Sequence, residues 1–289
     1  MSEPFTPPSI VVGIDGSRAA VRAALWAVDE AVSRDIPLRL VYAIEPHGSE
    51  QIDPQDEARR LATGELAVRY AFTAVESTDR PVKVEVEILQ GRPTATLLEA
   101  SRSAAMICVG AVGLKHFDHN RVGSTATALV AAAHCPIAIV RGADGITTRS
   151  PGWVVVELDE SPDSAAVLQC GVEEARLRRA PLRVLSSWQS RYTDVHDQHA
   201  VADGNRMVRA QLDRRLSRWK RRYPDLDVKP VAVHGSVLHY LAKHAGSIQL
   251  VVVGARDAES VGELIGPTGL AALHNTDCSV LIADRQRLL

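Results

Sequence analysis

The residues best suited to chemistry are glycines and hydroxyl side chains that follow a short apolar segment. Gly110-Ala-Val-Gly113 comes at the end of that segment, and Gly123-Ser124-Thr125 follows after nine intervening residues. Because glycine has no Cβ, its backbone can approach a phosphate group closely. A helix that begins after Gly123 would add free backbone N–H groups and a favourable dipole. The spacing therefore predicts a phosphate-binding site, with the Ser124 and Thr125 hydroxyls as further donors.

A carboxylate follows a second apolar segment, in the run Gly13-Ile-Asp15-Gly-Ser17. We expect Asp15 to accept hydrogen bonds from ribose hydroxyls or an adenine amino group. A carboxylate beside the phosphates would instead repel them, unless a metal ion lay between. Gly110 alone would indicate only a tight turn, but the full pattern together with Asp15 favours a nucleotide.

The segment 115–121, Lys-His-Phe-Asp-His-Asn-Arg, lies between the two glycine groups. Its basic residues Lys115, His116, His119 and Arg121 would neutralise phosphate charge if they faced the ligand. His116, Asp118 and His119 form a weak metal-binding pattern, because no further ligand accompanies them. A solvated loop is the interpretation that the sequence favours.

No pattern for nucleotide hydrolysis accompanies these residues. The chain has no G-x4-G-K-[ST] motif of a P-loop NTPase. No general base or arginine-finger arrangement stands out either. We therefore expect the nucleotide to act as a bound signal, hydrolysed slowly if at all.

The elements that must position these residues occur twice in the chain. Ile10-Val-Val-Gly-Ile14 returns as Val154-Val-Val-Glu-Leu158, and Met106-Ile-Cys-Val-Gly110 returns as Leu250-Val-Val-Val-Gly254. Both pairs are separated by 144 positions (154 − 10 and 250 − 106). A register held over about 100 residues indicates a duplication.

In each half, apolar runs alternate with amphipathic stretches, which predicts an α/β fold with a parallel sheet and right-handed crossovers. In the first half the predicted strands are 10–14, 38–43, 82–89, 105–109 and 136–140, and the predicted helices are 18–34, 54–76, 93–103 and 124–133. The run 82–89 alternates apolar and charged residues, which is typical of an edge strand with one wet face. In the second helix, Leu61, Leu66, Val68 and Phe72 are predicted to form one apolar stripe. The linker is predicted at 141–151.

The second half departs from the glycine pattern. Gly13, Gly16 and Gly113 correspond to Glu157, Glu160 and Asp257, and Gly266-Pro-Thr replaces Gly123-Ser-Thr. Three carboxylates would oppose a polyanion, and Pro267 lacks the N–H that Ser124 has. We therefore expect the second half to bind a nucleotide weakly or not at all, unless a divalent cation offsets the charge. The arginine-rich run from Arg214 to Arg222 is interpreted as a helix surface.

Composition excludes several function classes. The net charge is -2, and no spread basic face is present, so neither nucleic acid nor a membrane surface is expected as a partner. No apolar run is long enough to cross a membrane, and the start of the chain lacks a signal-peptide pattern. The four cysteines have no CxxC spacing and are expected to be buried thiols in a reducing compartment. The predicted location is the cytoplasm.

Together, these motifs resemble the ATP-binding branch of the universal stress protein family, in the tandem two-domain form common in actinobacteria. The matching residues are Val11-Val-Gly-Ile-Asp-Gly-Ser17, Gly91-Arg-Pro93, the Gly110/Gly113/Gly123-Ser124 pattern and Cys135-Pro-Ile-Ala-Ile-Val140. The resemblance covers essentially the whole chain. It implies two Rossmann-like domains, each an open five-stranded parallel sheet in the order 3-2-1-4-5. It also implies adenine near Asp15 and Ala43, phosphates on the glycine motif, and pairing through the last strand.

These observations lead to one prediction with two alternatives. We expect domains at 1–146 and 147–289, with ATP and Mg²⁺ bound in the first domain and a role as nucleotide-dependent regulator in stress response or growth control. The alternatives are a slow ATP hydrolase and an interaction scaffold that does not use nucleotide. Expected partners are a regulatory protein and a second copy of the chain, joined through the closing edge strands, with the two domains also pairing within the chain. The predicted binding residues are Gly13, Asp15, Ser17, Ala43, Gly110, Ala111, Val112, Gly113, Gly123, Ser124 and Thr125.

Overall fold

A computed structural model describes residues 7–46, 54–113, 122–142, 152–159, 161, 164–189, 198–255, 258–273 and 278–283. The chain divides into two compact units, residues 1–142 and 143–288. They are called here the first and the second domain. Most of the predicted linker lies outside the described residues.

The first domain alternates strands and helices along the chain. Its elements are β1 (Ile10–Ile14), α1 (Arg18–Arg34), β2 (Leu38–Ile44), α2 (Pro54–Glu76), β3 (Val84–Gln90), α3 (Pro93–Ala100), β4 (Met106–Gly110), α4 (Ser124–Ala132) and β5 (Ile137–Val140). All adjacent strands pair in parallel, in the order β3-β2-β1-β4-β5. The helices 18–34 and 54–76 have the predicted bounds, whereas α3 ends three residues early, at Ala100.

Burial explains why the central strands are nearly continuous apolar runs. β1, β4 and β5 are buried along almost their whole length, so both faces of these strands are covered. α1 packs against them with an alanine-rich face that includes Ala20, Ala23 and Ala27. Alanine lets the helix backbone lie close to the sheet. The Ser17 hydroxyl begins this helix by accepting a hydrogen bond from the Ala20 amide, 3.1 Å away.

Two details of the sequence-based pattern were wrong. In α2 the buried residues are Gly64, Val68, Ala71 and Val75, whereas Leu61 and Leu66 are 43% and 66% exposed. Leu66 lies about 160° around the helix from Val68, so it cannot share a stripe with it, whereas Leu61 lies on nearly the same side as Val68 and is nevertheless exposed. In β3 the expected alternation also fails, because Glu87 pairs with Arg39 at 2.8 Å and Val86 remains 47% exposed.

The second domain repeats the order of elements, and its described residues include one more helix before the last strand than those of the first domain. Its elements are β6 (Trp153–Glu157), α5 (Ser164–Leu177), β7 (Leu182–Trp188), α6 (Gln198–Arg222), β8 (Val228–His234), α7 (Val237–His244), β9 (Ile248–Gly254), α8 (Ala258–Ile265), α9 (Pro267–Leu273) and β10 (Ser279–Ala283). Its strands pair in parallel in the order β8-β7-β6-β9-β10.

A tryptophan at the end of β7 lies directly against α6. A Cβ added at Gly204 would lie 2.2 Å to 2.7 Å from three ring carbons of Trp188, so only glycine permits this contact. The indole N–H of Trp188 donates to Asn205 Oδ1 at 2.9 Å, and its ring packs against His234 with centroids 4.7 Å apart. The ring is therefore fixed on three sides.

Two further expectations concerned the state of the cysteines and the presence of membrane-spanning helices. All four cysteines are buried and free of disulfides, as the sequence predicted. None of the helices among the described residues is both long enough and apolar enough to cross a bilayer.

The contact of Trp188 with Gly204 predicts opposite effects for two glycine-to-alanine substitutions in helices. Gly204→Ala should lower the free energy of unfolding by about 1–2 kcal/mol, because overpacking against the fixed ring outweighs the gain in helix propensity. Gly262→Ala in α8 should raise it by about 0.5–1 kcal/mol, because a Cβ there meets no atom of the described residues within 4 Å. Urea unfolding followed by circular dichroism measures both, and stabilisation by Gly204→Ala would contradict the packing.

Candidate functional site

The first domain contains a cavity of about 490 Å³ at the carboxyl ends of β1, β2 and β4. In open parallel sheets, ligands bind at this edge where the strand order reverses. Here the reversal lies at β1, which pairs with β2 on one side and β4 on the other. The volume falls within the usual range for small-molecule sites, roughly 300–1,000 Å³.

The cavity brings together all but one of the residues predicted from the sequence. Gly13, Asp15, Ser17, Ala43, Gly110, Val112, Gly113, Gly123, Ser124 and Thr125 line it. Ala111 does not: it is buried, its N–H donates to the Val140 carbonyl, and its carbonyl accepts from the Gly123 N–H, each at 3.0 Å. Ala111 therefore connects β4 to β5 and fixes the start of α4.

Asp15 lines the cavity from the turn after β1, the strand between β2 and β4. Its Oδ1 accepts a hydrogen bond from the Ser17 amide at 2.9 Å, which holds the carboxylate in the turn before α1. Its Oδ2 lies only 2.6 Å from the place where a Cβ on Gly113 would be. Gly113 thus makes room for the carboxylate between the turn after β1 and the loop after β4.

The other glycines of the motif serve different purposes. A Cβ on Gly110 would lie 2.7 Å from the carbonyl carbon of Ala19, so this glycine lets α1 approach β4. A Cβ on Gly13 would lie 2.9 Å from a methyl group of Leu97, which itself lines the cavity. Among the described residues, the atoms nearest to a Cβ on Gly123 would be 3.9 Å away, so no described neighbour collides with it.

The start of α4 faces the cavity without a side-chain cap. Gly123 is the N-cap residue, and as a glycine it has no side chain with which to cap the first amides of the helix. A helix N-terminus leaves amide donors without intrahelical partners and carries a positive partial charge. With the hydroxyls of Ser124 and Thr125 beside it, this end of the cavity is suited to an anion.

The opposite end has residues that sequence reasoning missed. Arg60 and Thr63 line the cavity from α2, together with Tyr42, Ile44 and Glu45 from the end of β2 and the residue after it. Arg60 Nε lies 2.9 Å from Asp56 Oδ2, and its Nη1 donates to the Glu45 carbonyl at 2.9 Å. The sequence held one signal: Arg60 and Thr63 are three apart, on one face of a helix that follows β2.

Some predicted features lie outside the described residues. The segment 115–121 is among them, so its phosphate-binding, metal-binding and solvated alternatives stay open. Within the described residues, no group of three or more His, Cys, Asp or Glu side chains is placed to hold a metal ion.

In the second domain the corresponding residues are arranged differently. Asp159 keeps the turn of Asp15, because its Oδ1 accepts from the Ser161 amide at 3.1 Å. Glu157, at the position of Gly13, is 9% exposed. The Gly266 amide donates to the Gly262 carbonyl at 2.9 Å and continues α8, and α9 begins directly at Pro267. Glu160 and Asp257, the other expected carboxylates, lie outside the described residues.

Arg214, Arg218, Arg221 and Arg222 lie exposed on α6, as the helix-surface interpretation predicted, and Arg215 is the exception. Its guanidinium donates to Ser164 Oγ at 2.5 Å and to the Asp159 carbonyl at 3.4 Å, so it connects α6 to the loop after β6. A cation therefore lies beside the acidic loop of the second domain. Its sequence pattern gave no sign of this contact, because the partners are 51 and 56 positions away.

Comparison with known proteins identifies close relatives of both halves. The model of the universal stress protein family matches residues 8–141 and 153–284. The chain is 52% identical over 288 residues to universal stress protein Rv2028c of Mycobacterium tuberculosis H37Rv, covering 100% of both chains. It is 44% identical over 283 residues to universal stress protein Rv3134c of the same strain, covering 97% of both. A universal stress protein structure from Archaeoglobus fulgidus DSM 4304 covers 97% of both chains with a TM-score of 0.70 at 16% identity, which shows similarity of fold.

The different surroundings of the glycines predict different costs for the same substitution. Gly110→Ala should lower the free energy of unfolding by about 1–3 kcal/mol, because its Cβ would collide with the backbone of Ala19. Gly123→Ala should cost less than about 1 kcal/mol, the scale of a changed N-cap. Urea unfolding of both variants measures the difference. Equal losses would contradict the packing at Gly110.

Proposed function

The chain belongs to the universal stress protein family, and we propose that it is a nucleotide-dependent regulator whose first domain binds ATP as a signal. The observation that carries the proposal is the composition of one cavity. A helix N-terminus with two hydroxyls lies at one end of it, a carboxylate lies in the middle, and a largely uncharged wall from β2 lies at the other end.

The dimensions of the sheet support a nucleotide rather than a single small anion. β2 and β4 lie on opposite sides of β1, so their ends are about 10 Å apart, two strand spacings. In this proposal the triphosphate binds at Gly113, Gly123, Ser124 and Thr125, and the base lies over Ala43. Asp15, between the two ends, then accepts hydrogen bonds from the ribose hydroxyls.

The carboxylate of Asp15 is the reason to include Mg²⁺. Because Asp15 lies beside Gly113, it is also close to the proposed phosphate site, where its charge would oppose that of ATP. Mg²⁺ is usually bound through phosphate oxygens and one or two carboxylates. A Mg²⁺ ion carried by the phosphates would therefore offset the repulsion.

The second domain is proposed to serve a different role. Glu157 introduces a buried carboxylate where the first domain has Gly13, and the Gly266 amide is bonded within the helical segment. Both changes disfavour a polyanion there, although Arg215 offsets part of the acidic charge. We propose that this domain is a scaffold or partner surface, that the chain forms a homodimer through its closing strands, and that it acts in the cytoplasm.

Nucleotide bound to the freshly purified protein tests the proposal directly. We expect close to one ATP per chain on denaturing the wild-type protein, and none from Gly123→Glu, whose carboxylate would enter the phosphate site. Gly123→Gln is the matched control, because it adds nearly the same volume without the charge. It should retain more nucleotide than Gly123→Glu.

Other results of this measurement would contradict parts of the proposal. Two nucleotides per chain would contradict the assignment of the second domain. No nucleotide in the wild-type protein, followed by no binding in a titration with ATP and Mg²⁺, would overturn ATP binding and favour the scaffold alternative. Equal binding by the wild-type protein and Gly123→Glu would place the phosphates elsewhere.

A further inference from the structure

Arg60 is a charged side chain of the cavity that no part of the predicted ATP motif requires. It comes from α2, which covers β2, and it donates to the Glu45 carbonyl just beyond the end of that strand. The proposed phosphate residues follow β4, on the far side of β1. Arg60 is therefore at the end of the cavity where the base would bind.

The charge of Arg60 is already partly balanced. Its Nε lies 2.9 Å from the Asp56 carboxylate, and its Nη1 bonds a carbonyl oxygen at 2.9 Å. A guanidinium held in this way is less suited to attract a polyanion, but its plane is fixed, and planar guanidinium groups stack on aromatic rings. The neighbouring residues Tyr42, Ala43 and Ile44 form a largely apolar wall, as a purine requires.

The second domain provides an independent observation at the corresponding position. Under the offset of 144, Arg60 corresponds to Gly204 and Ile44 to Trp188 (60 + 144 and 44 + 144). There the indole of Trp188 lies against α6 at Gly204, where a side chain would collide with it. The space between strand end and helix thus holds a planar aromatic ring in the second domain. In the first domain the residues at the same two positions are Ile44, which is smaller than tryptophan, and Arg60 with its guanidinium.

We infer that Arg60 stacks on the adenine of the bound nucleotide and is a specificity-determining residue for an aromatic base. The inference rests on the proposed binding of ATP in this cavity. Asp56 and the Glu45 carbonyl position the guanidinium before the ligand arrives, so little side-chain freedom is lost on binding.

A series of ligands with the same base and fewer phosphates separates base contact from phosphate contact. Binding of ATP, ADP, AMP and adenosine to the nucleotide-free full-length protein is measured by calorimetry, with Mg²⁺ present. Arg60→Ala should raise the Kd of all four ligands by a similar factor, about tenfold, as expected for loss of a cation–π contact. Arg59→Ala is the matched control: it removes the same charge one residue away, from an exposed side chain outside the cavity. It should leave all four values unchanged.

Arg60→Lys keeps the charge without the guanidinium plane and guards against misfolding of the alanine variant. It should also raise the Kd of all four ligands by one common factor, smaller than the factor for Arg60→Ala. A loss that grows with the number of phosphates and vanishes with adenosine would overturn the inference and make Arg60 a phosphate ligand. Equal Kd values for Arg60→Ala and Arg59→Ala would overturn it as well. If the wild-type protein binds none of the four, the proposed function itself fails, and the inference fails with it.

Discussion

The rest of the structure depends on one constraint: the central strands of each parallel sheet are covered on both faces. β1, β4 and β6 are buried along nearly their whole length, so they have no face on which polar side chains can meet water. Polar groups that are not part of the hydrogen-bonded ladder therefore collect at the strand ends. In the first domain, Asp15, Gly113 and Ser124 converge there because β1 and β4 are neighbours. The site is thus a consequence of how the sheet is buried, and its chemistry depends on short segments at one edge.

Much of this arrangement was predictable from the sequence, because it depends on local patterns. Apolar runs of five residues predicted β1 and β4, and ten of the eleven residues predicted to bind the nucleotide line the cavity. The sequence did not show why each of these positions must be a glycine. Gly110 permits contact with Ala19, and Gly113 makes room for Asp15. At both positions, packing within the protein already requires a residue without a side chain. A glycine in a sequence motif does not indicate whether the atom that approaches it belongs to a ligand or to the protein itself.

The residues that sequence reasoning missed have partners distant along the chain or depend on the rotation of a helix. Arg215 contacts a loop more than 50 positions away, and nothing local distinguishes it from the exposed arginines beside it. Leu61 and Leu66 were expected in the apolar stripe of α2, but both are exposed, and only Leu66 lies on the side of the helix opposite to Val68. Arg60 adjoins Leu61 and lines the cavity instead. Side-chain type therefore predicted burial well in strands and poorly in a long helix with a mixed surface.

The contact between Trp188 and Gly204 has a consequence for how the two halves of a duplicated gene can continue to diverge. Gly204 cannot become arginine in a single step while Trp188 is present, since even a Cβ would lie within 2.7 Å of three ring atoms. Replacement of Trp188 by a smaller residue must come first, and that change alone would leave a void beside α6. Each single substitution is therefore expected to destabilise the domain, one by collision and the other by a void. Because of one aromatic ring, the two halves can exchange their arrangements at this place only by changing both positions.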